Sequence, residues 1–109
     1  MNKQSDAQRL LDKAIKAYAS KDFLVAQEIF KWICQLYPLN WTARYFYAMN
    51  LCALGDFSDA RAQLYHIERN ADDGVWQHVS RSGIAVVNNK EAHMRRSLNA
   101  LLDAGSPGS

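Results

Sequence analysis

The chain predicts an all-α fold of three successive helix–turn–helix units, and three observations carry that expectation. A 34-residue period runs through it: Ala26-Gln-Glu-Ile-Phe30 is matched by Ala60-Arg-Ala-Gln-Leu64, and the preceding turns Lys21-Asp22-Phe23 and Gly55-Asp56-Phe57 fall at the same offset. Apolar residues recur at spacings of three and four, the period of a helix with one buried face. Five glycines and two prolines in 109 residues are too few for the turns of a β sandwich.

The units divide as 7–40, 41–74 and 75–108 of a single domain spanning 1–109. In the first, Leu10, Leu11, Ala14, Ile15, Ala17 and Tyr18 form one helical stripe, and Ser5 with Gln8 reads as a capping box before it. Lys21-Asp22 interrupts the pattern, and Asp22 suits the cap of a second helix carrying Phe23, Ala26, Ile29, Phe30, Ile33 and Cys34. That helix ends near Tyr37, because Pro38 disfavours helix in the residue before it. The second unit predicts helices over 41–54 and 57–70, with Gly55 for the turn and Asp56 for the cap. The third predicts helices over 75–88 and 91–103 joined at Asn88-Asn89, which makes six helices in all, and the Gly-Ser-Pro-Gly-Ser ending reads as a frayed tail.

Composition narrows the function. A balance of 49% hydrophobic and 22% charged residues is that of a globular chain. The net charge of +2 argues against a nucleic-acid binder. By unit the charge runs +2, −2 and +2, so Arg81, Lys90, Arg95 and Arg96 read as a solvated face. No apolar run reaches membrane-spanning length, and the start of the chain lacks a secretory apolar stretch. Cys34 and Cys52, 18 residues apart, fit free thiols in a reducing cytoplasm. His66, His78 and His93 lack metal-ligand spacing, and no phosphate-cradling glycine loop or nucleophile elbow is present. The expectation is a non-enzymatic protein without cofactor or metal. Trp32 and Trp41 flank the loop between units one and two, where they either pack that junction or form an exposed partner surface.

The 34-residue unit resembles the tetratricopeptide repeat, whose pattern runs W-x2-L-G-x2-Y, then A-x3-F, then P. Leu10, Ala14, Ala17, Ala26, Phe30 and Pro38 match in unit one; Tyr47, Ala48, Leu51, Ala60, Leu64 and Ile67 in unit two; Ala85, Met94, Leu98 and Leu101 in unit three. Lys13 and Arg81 stand at the usual leucine position, and Asp72 replaces the terminal proline. The resemblance implies a right-handed superhelix whose first helices line a concave groove. By register that groove presents Gln8, Leu11, Ile15, Tyr18 and Ala19, then Thr42, Tyr45, Met49, Cys52 and Ala53, then Trp76, Val79, Gly83, Val86 and Val87. None of these is charged, so a groove holding a carboxylate through lysine and arginine is not expected. Leu11, Ile15, Tyr18, Tyr45, Met49, Cys52, Trp76, Val79 and Val86 are the partner-binding candidates, with self-association and plain core packing as their other roles.

The run Ala26–Asn40, with Tyr47-Ala48, Leu51–Leu54, Phe57, Ala60 and Leu64-Tyr65, is similar to the class II and smaller chaperones of type III secretion systems. That similarity implies a cytoplasmic chaperone holding an apolar, helical or extended segment of a secreted protein, with homo- or hetero-oligomers open and neither nucleic acid nor membrane as partner. A general scaffold within a protein assembly is the alternative.

Overall fold

The computed structural model describes the backbone of residues 3–104 and the side chains of residues 6–104. All its regular structure is helical: α1 (Lys3–Ala19), α2 (Phe23–Leu36), α3 (Trp41–Ala53), α4 (Phe57–Asn70) and α5 (Gly74–Ala104). The body is elongated, 66 by 29 by 18 Å. Each helix packs on the next, and α1 touches α3 as α3 touches α5. This alternating pattern is consistent with a helical repeat.

The turns follow the period. Lys21 (φ 63°) and Gly55 (φ 85°) are the left-handed residues of the first two turns, 34 positions apart. Asp22 and Asp56 stand at the N-caps of α2 and α4, but neither side chain makes a capping hydrogen bond, contrary to expectation. The side-chain cap falls instead to Asn40, whose Oδ1 accepts from the Ala43 N–H at 3.1 Å. Ser5 lies within α1, which begins at Lys3, so it does not cap that helix. The Gly-Ser-Pro-Gly-Ser ending lies outside the described residues.

Two buried clusters share α3. Leu11, Ala14, Ala26, Phe30, Ile33 and Ala43 join α1, α2 and one side of α3. Ala48, Leu51, Cys52, Phe57, Ala60, Leu64, Ile67, Ala71 and Val87 join its other side to α4 and α5. Alanines at 14, 26, 48 and 60 are fully buried, which lets the paired helices approach closely while Phe30, Leu64, Ile33 and Ile67 fill the space beside them. The two tryptophans separate: Trp41 packs on the second cluster with its ring 6.0 Å from that of His66, whereas Trp32 is exposed on the outer side of α2.

The third unit departs from the expected hairpin. Residues 74–104 form one continuous helix, so the described residues make five helices, with no turn at Asn88-Asn89. The guanidinium of Arg61 on α4 spans the expected break, donating from Nη1 to Asn88 Oδ1 at 3.0 Å and to Glu91 Oε1 at 2.9 Å. The helix carries on past the start of α4, and nearly all residues beyond Ala92 are exposed.

Candidate functional site

The continuation of α5 builds one wall of a cavity of about 450 Å³. The C-terminal end of α1 contributes Tyr18; the last turns of α3 contribute Met49, Cys52 and Ala53; α4 contributes Phe57. The facing wall is a stripe of α5, namely Val86, Lys90, the adjacent pair His93 and Met94, and Ser97, in steps of three or four about that pair, so that all lie on one side of the helix. The floor is apolar, and the polar groups sit on the α5 wall.

Tyr18, Met49, Cys52 and Val86, four of the residues singled out by the sequence, thus line one cavity, with Ala53 beside them. The others lie elsewhere. Leu11 is buried in the first cluster, and Ile15 packs against it. Tyr45 and Trp76 pack on the second cluster with ring centroids 6.4 Å apart, and Tyr45 also meets Phe46 edge-on at 5.9 Å. Val79 is half-buried, while Gly83 and Val87 are buried beneath it. None of these residues lines the cavity.

Sequence register missed Phe57, Lys90, His93, Met94 and Ser97. The expected hairpin puts His93, Met94 and Ser97 on a separate second helix and Lys90 in the turn before it, which would carry all four out of the groove. The expectation of a groove without formal charge is corrected by Lys90, for the same reason: α5 does not turn. The signal that could have found them is the stripe itself, since Val86, Lys90, His93, Met94 and Ser97 keep helical spacing straight through the expected break.

Burial sets the electrostatics. It pushes the Cys52 thiol above its ordinary value, a shift that Lys90 and Arg61 oppose without reversing it. Burial likewise raises the Tyr18 phenol, with Cys52 and Tyr45 adding to the effect. Cys34, near the end of α2, is raised by burial against the opposing charge of Arg44. Both thiols are therefore held in the protonated form, which is a poor nucleophile and a poor metal ligand. Among the described residues no group of three or more His, Cys, Asp or Glu side chains is placed to hold a metal ion. What this arrangement can do is remove apolar surface of another molecule from water, with Lys90 and His93 as donors at the rim. No described helix is long and apolar enough to cross a membrane. No family model, curated protein or solved structure matches the chain.

Proposed function

We propose that this chain is a protein-binding module of the tetratricopeptide type, a right-handed superhelical array that acts in the cytoplasm as a chaperone for a type III secretion substrate or apparatus protein. The observation that carries the reading is the apolar cavity between the ends of α1 and α3 and the wall of α5. Its size suits a few aliphatic or aromatic side chains of a bound segment. Three such anchors at about 2 kcal/mol each contribute roughly 6 kcal/mol before ordering costs. Six kcal/mol alone corresponds to a dissociation constant of about 40 μM, and the ordering costs weaken it further, so the anchors hold a segment loosely enough to release it. The similarity of residues 26–40 and 47–65 to secretion chaperones supports the same reading.

The test is co-purification of the untagged chain from its native source, with mass spectrometry of what elutes beside it, for the wild type and Met49→Asp. The carboxylate would put a charge on the cavity floor, where the partner's apolar side chains would sit. It should weaken retention of a small apolar partner by about 100-fold or more, corresponding to roughly 3 kcal/mol, with helicity unchanged. Tyr45→Asp is the poorer probe, because Tyr45 supports Trp76 and Phe46.

A scaffold role is favoured by a different observation. Leu24, Val25, Trp32, Leu36 and Leu39 are all exposed on or just beyond α2, away from the cavity. If the partner survives Met49→Asp and is lost with Trp32→Asp, that outer surface is the docking face and the protein is a scaffold.

A further inference from the structure

We propose that α5 has a second conformation, a hairpin bent at Asn89, and that the straight helix is the form in which the cavity is open to a partner.

The chain's own repetition argues for the bend. The first two turns place a left-handed residue at Lys21 and at Gly55. One further period falls on Asn89. Asparagine is one of the few non-glycine residues that enter the left-handed region readily. Met94, Leu98 and Leu101 lie one period after Ala60, Leu64 and Ile67 and two after Ala26, Phe30 and Ile33. Those six earlier residues are all 0% exposed, whereas Met94, Leu98 and Leu101 are 46%, 53% and 70% exposed. In the first two units this stripe packs on the preceding helix over Ala14 and Ala48, both fully buried. The equivalent position in α5 is Ser82, and Ser82, Ala85 and Val86 are exposed. Both halves of a third hairpin interface therefore exist on one chain, and in the straight form neither is covered.

The balance between the two forms is local. The straight helix keeps the bonds from Arg61 to Asn88 and Glu91. The bent form would bury three large apolar side chains, and would put Glu91 in the first turn of a new helix, where a negative charge is favourable. It would do so with Lys90 at the N-cap position that Asp22 and Asp56 hold elsewhere. Lysine puts a positive charge at a helix N-terminus, where Asp22 and Asp56 put a favourable negative one, so the third hairpin is the weakest of the three. Bending also carries Lys90, His93, Met94 and Ser97 away from the cavity. A segment bound in the cavity would thus select the straight form. That consequence rests on the proposed function; the hinge itself does not.

The experiment is a distance measurement by paired spin labels on Val75→Cys and Asp103→Cys in a Cys34→Ser, Cys52→Ala background, on the full chain without partner. Both labelled positions are exposed. In a straight helix they stand about 42 Å apart, from the rise of 1.5 Å per residue. In a hairpin the two helix axes lie roughly 10 Å apart, and the labels fall within about 20 Å. The expected result is a short-distance population that grows with Asn89→Gly, shrinks with Asn89→Ala, and persists on dilution with unlabelled protein. Only the long distance, in both the wild type and Asn89→Gly, would overturn the proposal. So would a short distance that disappears on dilution, since the stripe would then be covered by a second copy of the chain. Circular dichroism of each variant confirms that the rest of the fold is retained.

Discussion

Gly83 shows how closely α5 approaches the body. A Cβ at this position would stand 3.1 and 3.2 Å from the two terminal methyls of Leu64 and 3.3 Å from Cε2 of Tyr45. Two effects oppose each other in Gly83→Ala. Removing a glycine from a helix interior gains about 0.5–1 kcal/mol. Overpacking costs about 1–3 kcal/mol. Leu64 is fully buried and cannot move aside, so overpacking wins. Gly83→Ala should lower the unfolding free energy by about 1 kcal/mol in a denaturant titration; a gain in stability would show that Leu64 and Tyr45 have room to yield. Asn50 is a second residue with a clear task. It is fully buried, and its Nδ2 donates to the Phe23 carbonyl at 2.9 Å, tying α3 to the start of α2. Its Oδ1 is buried without a hydrogen-bond partner. The same position of the period holds Lys16 and Ile84, so periodicity alone assigns Asn50 no role.

At the scale of elements, the turns decide what repeats. Lys21 occupies the left-handed conformation that Gly55 occupies one period later. A side chain there costs about 1–2 kcal/mol, part of which glycine returns through its greater freedom in the unfolded chain. Lys21→Gly should therefore raise stability by about 0.5–1 kcal/mol, read as a higher denaturation midpoint with unchanged slope. An unchanged or lower midpoint would mean that the lysine stem makes packing contacts worth more than the strain. The first four helices were legible because their breaks are written locally: Lys21-Asp22, Pro38 and Gly55-Asp56 each interrupt an apolar stripe. The break expected at Asn88-Asn89 is not made, because nothing there forbids helix. The residue that holds the helix straight, Arg61, lies on α4 and reaches it only through tertiary packing. The cavity shared that fate. Its α1 and α3 side follows from the repeat register, through Tyr18, Met49 and Cys52, whereas its α5 wall exists only because the turn is not made.

For the whole molecule, the two clusters are unequal and share one helix. The α3–α4–α5 cluster contains nine buried residues and the α1–α2–α3 cluster six. The hairpin of α1 and α2 rests on α3 alone, since neither helix makes appreciable contact with α4 or α5. In a linear array, stability is the sum of the units and of the interfaces between neighbours. Damage should then spread in one direction. Phe30→Ala removes the ring that fills the first cluster and costs about 3–5 kcal/mol there. Native-state hydrogen exchange in this variant should rise across α1 and α2 while α4 and the first half of α5 keep most of their protection. Leu64→Ala, at the equivalent position one period on, costs about 2–5 kcal/mol but strips the support from α3. Protection should then fall in all five helices together, because α1 and α2 have no other surface to fold against. Identical protection maps for the two variants would show instead that the chain melts as one unit, with α3 transmitting strain equally in both directions.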